Sequence, residues 1–348
     1  MKKEYTNGEI TIVWEAEKCI HCAECAKGLP QVFKPREKRH TIAFYNIENL
    51  FDVYDDEITR DYDMLPSSEK RWSIKRYNNK LRKIGYVISN IGLKEVKRHP
   101  AIVGIAEVEN DAVLKDLINS KHLEEHNYSF VHYNSPDERG IDVALLYDET
   151  VFKVAFSKTF TVDLLDDDGS IDYTRDILLV SGLFEGLELH VIVNHWPSRR
   201  TGDIETEQKR MKASKKVTEI ISFLKDKNPE AKIVIMGDFN DDPNSNSLKA
   251  LELSHGLYNP MRTLLSHDRG TTSHNQNWNL FDQFLMTHNF FERKKNTLRF
   301  VKANICDEAY LKEYEGKYKG SPYRTYVGKR YNGGYSDHFP VYMVVSKR

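Results

Sequence analysis

Residues 235–243 read IMGDFNDDP, which sets an acid, an aromatic ring and an amide directly after an apolar run. The run KIVIM, from Lys232 to Met236, is short and rich in β-branched residues, the composition of a buried strand. Gly237 then allows a tight exit, and Pro243 with Asn244 closes a turn. Asp238 and Asn240 are therefore expected at a strand end, where open α/β sheets carry their sites. Two residues apart in an extended segment, they would point the same way, with Phe239 turned inward. Taken alone, a Gly-Asp pair after a strand is also an ordinary turn, so the rest of the chain has to decide.

Outward from this stretch the arrangement recurs. TIAFYNI ends on Asn46, AIVGIAEV carries Glu107 near its end, and LHVIVNHW closes with Asn194 and His195. LFDQFLMT holds Asp282 near its start, and Asp337 with His338 precedes PVYMVV. GIDVALLY, FKVAFSKTFTV and RDILLVSGLF are further strand candidates. Between them, WSIKRYNNKLRKIGYVISNI spaces Trp72, Ile74, Tyr77, Leu81, Ile84, Ile88 and Ile91 near the helical period. Its basic residues are then the outer face of an amphipathic helix rather than a nucleic-acid footprint. A second helix is expected from about Asn110, and a long charged one from Glu205 to Lys225. Asn and Asp favour turns for backbone reasons, so no single strand end carries the argument. Two histidines and several carboxylates at successive ends do. The mixture of strands and helices suggests two packed sheets with helices outside.

The 348 residues are 40% hydrophobic and 30% charged, the balance of a globular chain, with a formal net charge of −1. No global basic field draws such a chain to nucleic acid or membrane, so attraction to a polyanion has to be local. No apolar run approaches the roughly 20 residues of a membrane span, and the first residues lack a secretory h-region. A cytoplasmic location is the expectation. Composition shifts near residue 39: before it lie an expected strand pair and three of the four cysteines, in CIHCAEC. That packing argues for metal or cluster chemistry over a disulfide framework.

From about His40 onward the chain resembles the endonuclease/exonuclease/phosphatase family. GDFNDDP and the later SDHFPV carry the resemblance, in the family order after the early Asn and Glu. It implies an α/β fold, a four-layer α/β/β/α sandwich of two packed mixed sheets with outer helices, over residues 40–348. It also implies a Mg²⁺- or Mn²⁺-dependent phosphodiesterase, a nuclease acting on nucleic acid, with a monomer expected. The same resemblance leaves a phosphatase or phospholipase-like enzyme on a small phosphorylated molecule as the alternative. Matched residue by residue, Glu107 is the metal ligand with Asn46 beside it and Asp337 assisting. Asp238 orients or deprotonates the attacking water. Asn240 and His195 bond the phosphate, the histidine as a charged donor, and Asp282 holds His338 protonated. Arg199 and Arg200 suit backbone phosphates, Asp142 could orient His195, and Glu48 is expected to face solvent.

Cys19, Cys22 and Cys25 follow the C-x₂-C-x₂-C spacing of bacterial ferredoxins. YTNGEITIVWEAEKCIHCAEC resembles a divergent single-cluster 4Fe-4S module, with Leu29 at the position of a fourth ligand before Pro30. Residues 1–39 are thus expected to form an incomplete ferredoxin-like segment. A three-cysteine cluster, bound Zn²⁺ and free thiols all stay open. On this segment alone the chain would be an iron–sulfur electron-transfer or sensor protein carrying the hydrolase as a passenger.

Overall fold

The computed structural model describes residues 2–6, 11–15, 38–166, 168–199, 202–274 and 276–347. Cys19, Cys22, Cys25 and Arg200 lie outside the described residues. The chain divides into two units, residues 1–38 with 348, and residues 39–347. In the first, Lys2–Thr6 pairs antiparallel with Thr11–Glu15.

The second unit is built on two mixed sheets. One has five strands in the order Asp282–Met286, Ile233–Asp238, Leu187–His195, Ile177–Phe184, Phe152–Phe160. The other has six, in the order Leu298–Ile305, Val341–Lys347, Lys38–Leu50, Ile102–Val108, Asp142–Asp148, Tyr128–His132. Each sheet contains a parallel pair, 187–195 with 233–238 and 38–50 with 102–108. Alternation along the strands sorts their side chains. Leu178, Val180, Val191, Val193, Val234, Met236, Phe284 and Met286 join the larger core with Phe44 and Ile105 of the second sheet. Ile177, Leu179, Ile192, Ile233, Ile235 and Leu285 instead pack with Val217, Ile220 and Ile221 of the helix Asp203–Lys227. Strands apolar on both faces read as continuous runs, which is why KIVIM shows no alternation.

The sheets approach closely at Gly104. A Cβ there would lie 2.9 Å from Met236 Cε and 3.0 Å from the Phe44 ring. Outside the six-stranded sheet, Ile74–Asn90 buries Tyr77, Leu81, Ile84, Val87 and Ile88. Asp111–Ile118 begins where Asn110 caps it, its Oδ1 accepting from Val113 N at 2.9 Å. The order of layers is helix, sheet, sheet, helix.

Two local expectations change. Gly237 lies inside the strand Ile233–Asp238 and makes no exit turn. It is glycine because a Cβ would sit 2.3 Å from the Asn194 carbonyl oxygen. Asp238 and Asn240 are not on an extended segment either: Asn240 has a φ of 49°, and its N–H donates to Asp238 Oδ1 at 2.9 Å, closing a side-chain turn. Phe239 does turn inward, edge-on to Trp196 at 4.8 Å.

Candidate active site

His195, Asp238 and Asp282 form one row across three neighbouring strands, His195 paired with Asp238 and Asp238 with Asp282. Each stands two residues from a side chain of the inter-sheet core, namely Val193, Met236 and Phe284. The period of two therefore carries the polar row onto the face that meets the other sheet. From that other sheet comes Asn46, two residues beyond Phe44 and paired with Ala106.

Glu107 reaches the site by a different device. Following Ala106, it would by simple alternation point away. The register shifts there, with Ala106 opposite Val143 and Val108 opposite Asp142, so Glu107 is the extra residue of a bulge with a φ of 67°. Bulges re-aim side chains in this way. Glu48 and Asn49, with φ of 52° and 51°, interrupt the neighbouring strand at the same level. Such left-handed residues cost about 1–3 kcal/mol each and collect where the surroundings over-determine them.

Asn46 is the link between the sheets. Its Nδ2 donates to Glu107 Oε1 at 3.2 Å and to Asp238 Oδ2 at 3.0 Å, while its Oδ1 accepts from Glu48 N at 3.0 Å. Glu107 Oε2 accepts from Asn49 N at 3.0 Å. His195 Nε2 lies 3.9 Å from Glu107 Oε1 and 3.8 Å from Asp238 Oδ2. His338 Nδ1 is 2.7 Å from Asp282 Oδ2, and its Nε2 is 3.8 Å from Asp238 Oδ2. Ser336 donates to the Asn46 carbonyl at 2.6 Å, fastening the segment before the last strand to the first sheet strand.

The two imidazoles are held in opposite states. Burial works against charge on His338, but Asp282 and Asp238 outweigh it and raise its pKa well above the usual histidine range. Burial lowers that of His195 well below it, helped by Arg175, Arg139 and His338. Both causes favour a neutral His195 ring, a hydrogen-bonding group, over the charged donor expected of it. Burial also raises Asp238, with His338 opposing. Asp238, Asp282 and His338 offer ligand atoms within 4.8 Å of one another, a spacing that could hold a metal ion. The short Asp282–His338 bond and the raised imidazole place a proton in that cluster, which already supplies its positive charge. Glu107 is the freer carboxylate: its direct contacts are N–H donors from Asn46 and Asn49 and the His195 ring.

Other expected residues are engaged elsewhere. Asp142 accepts from Ser135 N at 2.9 Å and pairs with His132 Nε2 at 3.1 Å, so it does not orient His195. Arg199 donates to the Asn240 carbonyl and to Asp241, both at 2.8 Å, and stacks on Phe281. It braces the 238–242 loop. Asn240 gives its Nδ2 to the Trp196 carbonyl at 3.0 Å. Asp337 is bonded by Arg324 at 2.7 Å. Cys306 is buried and free, its thiol pushed up to about 12 by burial.

The sequence reading missed two groups. Arg175, from TRD just before a strand, is buried, donating to Asp137 at 3.1 Å and to the Trp196 carbonyl at 2.7 Å. Its Nε has no hydrogen-bond partner among the described residues. An arginine directly preceding a buried run was the available signal. Glu48 is the second, buried instead of facing solvent: it accepts from Thr325 N at 2.6 Å and lies 3.9 Å from Lys80 and 3.5 Å from Arg324. Lys80, nearly inaccessible, also donates to Thr325 Oγ1 and, at 2.7 Å, to the Tyr335 carbonyl. Arg76 stacks on Tyr331, and Lys83 on Tyr323 and Tyr335. The basic helix is thus a fastening for residues 323–335. Replacing Lys80 with Met leaves Glu48 buried without its ammonium, and we expect a loss of about 3–5 kcal/mol, read by urea denaturation.

The two-sheet fold and the residues at its seam place the chain in a known class of proteins once it is compared with others. A model of the endonuclease/exonuclease/phosphatase family matches residues 41–347, and the chain belongs to that family, whose members are in general metal-dependent phosphoesterases. A model of the divergent 4Fe-4S mono-cluster matches residues 5–43. Similar solved structures include an endonuclease/exonuclease/phosphatase family protein from Bacteroides thetaiotaomicron, with a TM-score of 0.56 and 15% identity over 90% of this chain and 99% of that one. A humanized D. rerio TDP2 gives 0.54 and 16%, over 88% and 99%. The mannosyl-6-phosphatase Bt3783 of Bacteroides thetaiotaomicron gives 0.52 and 15%, over 88% and 99%. At these identities the likeness is one of fold. No curated protein matches in sequence. Among the described residues no helix is long and apolar enough to cross a membrane.

Proposed function

We propose that this site hydrolyses a phosphate ester with the help of a divalent cation. The observation that carries the reading is the convergence, across the seam of two sheets, of Asn46, Glu107, His195, Asp238, Asp282 and His338. A hard cation such as Mg²⁺ or Mn²⁺ takes carboxylate and amide oxygens. Glu107, turned inward by its bulge and with no Lys or Arg in ion-pair contact among the described residues, only the His195 ring at 3.9 Å, fits that need. Glu107 would hold the ion with Asn46 beside it, and Asp337, already neutralised by Arg324, is left out. When bound, such an ion relieves charge on phosphoryl oxygens.

The remaining chemistry falls to the chain. Asp238 orients the attacking water and takes its proton, a task suited to a carboxylate whose proton affinity burial has raised. His338 presents Nε2–H to the phosphate as a cation, held by Asp282. His195 donates a neutral hydrogen bond, and Arg175 places a buried positive charge behind it. Asn240 and Arg199 keep the 238–242 loop in place.

The net charge of −1 supplies no general pull on a polyanion, and a compact phosphate ester stands beside nucleic acid as the substrate to be tested. The nucleic-acid reading has one specific support, a fold neighbour, D. rerio TDP2, complexed with a single-strand DNA product. A panel assay with Mg²⁺ on plasmid DNA, single-stranded DNA, RNA, sugar phosphates, inositol phosphates and sphingomyelin separates them. EDTA is expected to abolish hydrolysis, and Mg²⁺ or Mn²⁺ to restore it. Glu107→Gln should raise the metal requirement at least ~10-fold while leaving the fold intact. Undiminished activity of that variant at low metal removes Glu107 from the site.

A further inference from the structure

Beside the six convergent groups lies a cavity of about 190 Å³ between the 272–279 hairpin and the 313–327 loop. Asp337 and Arg324 belong to both its lining and the rim of the site. The same Asp337 is felt electrostatically by His338, and its carbonyl accepts from Thr272 of the hairpin at 3.0 Å. The cavity therefore borders the site on the side of Asp337 and Arg324.

We propose that this cavity receives a hydroxylated sugar ring carried by the scissile phosphate. The inference rests on the phosphoesterase reading and adds the substrate class to it. Three observations select the ring. The volume is below the ~300–1,000 Å³ of ordinary ligand pockets, room for one ring and not for a base with its sugar. The lining is rich in groups that pair with hydroxyls: Ser273, Ser321, His274, Glu313 and Arg324. Glu313 gives one oxygen to Asn332 at 2.7 Å, which fixes its direction. Finally, the Tyr318 ring stands among these polar groups, with no Phe or Trp among the described lining residues. Its face suits the CH face of a sugar, whereas base recognition relies on stacking platforms and base-edge contacts. The wall is rigid where it meets the site, because Lys80 and Lys83 fasten residues 323–335 to the helix Ile74–Asn90.

Calorimetry on the full chain carrying Asp238→Asn, with Mg²⁺ present, reads binding without turnover. Methyl phosphate serves as the ringless probe, and ribose 5-phosphate, glucose 6-phosphate and AMP carry the ring. We expect the ring to tighten binding at least tenfold over methyl phosphate, and the gain to vanish on adding Tyr318→Ala or Glu313→Gln. Tighter binding of AMP than of ribose 5-phosphate overturns the single-ring volume, and the reverse order supports a free sugar phosphate. Equal affinity for ringed and ringless esters overturns the proposal, as does a gain that survives both substitutions. Turnover of p-nitrophenyl phosphate by the unsubstituted chain tests the hydrolase reading separately, so the two failures are told apart.

Discussion

Asp238→Asn is expected to give a folded protein with a nearly unchanged melting temperature and a hydrolysis rate lower by ~10²–10⁴-fold, the usual cost of losing a general base. The argument lies in how the two carboxylate oxygens are used. Oδ1 accepts from Asn240 N at 2.9 Å and holds the turn. An asparagine oxygen accepts that bond equally well, and asparagine suits turns. Oδ2 faces Asn46, His195 and His338, and there an amide can neither take a proton nor balance the imidazolium. The turn and the rate thus depend on different atoms of one residue. Melting and turnover measured on the same preparation decide the matter. Normal turnover would reduce the GDFND stretch to a turn.

The second large effect depends on pH. In the native chain burial opposes the charge on His338, yet Asp282 and Asp238 overcome it, and the ring stays protonated above the ordinary histidine pKa of about 6.5. Asp282→Asn removes the strongest of the supports and leaves the burial. The pKa must fall, so the imidazolium survives only toward acid pH. Activity should be lost mainly on the alkaline side, by ~10²–10³-fold if the imidazolium is a principal donor to the phosphoryl oxygens. The acid limb, governed by Asp238, loses the Asp282 charge that helps raise its proton affinity and moves, if anything, toward lower pH. The pH–rate profile of kcat/KM then narrows from its high side. A uniform loss at every pH would contradict the assignment, and near-native turnover by His338→Ala would end it.

What was readable from sequence was the strand ends. Asn46, His195, Asp238 and Asp282 stand at the ends of apolar runs, which the sequence shows. The face each takes follows from the period of two counted from Phe44, Val193, Met236 and Phe284, which a run apolar on both faces does not single out. Glu107 was named from the resemblance, but its direction could not be read: alternation aims it outward, and only the bulge reverses it. Glu48 shows the other limit. Its burial depends on Lys80 and Thr325, partners far away in the chain that local periodicity does not register. The basic helix looked like a solvated face because a lysine bonding a distant carbonyl and one facing water have the same local spacing. Asp142 failed for a similar reason, since two carboxylates at strand ends compete for histidines and the tertiary pairing gave it His132. Gly237 was recognised as special for the wrong cause, a turn instead of contact with the Asn194 carbonyl.

The seam placement has a consequence for when the protein can act at all. His195, Asp238 and Asp282 come from one sheet, and Asn46 and Glu107 from the other. Ser336, next to Asp337 and His338, reaches back across 290 residues to the Asn46 carbonyl. A chain in which each sheet has zipped up by itself has most of its secondary structure and no catalyst. The proposed chemistry therefore requires both sheets docked and residues 336–338 seated against the Asn46 strand. The same geometry makes turnover a sensitive gauge of tertiary integrity, because separating the layers silences the site before any strand has come undone.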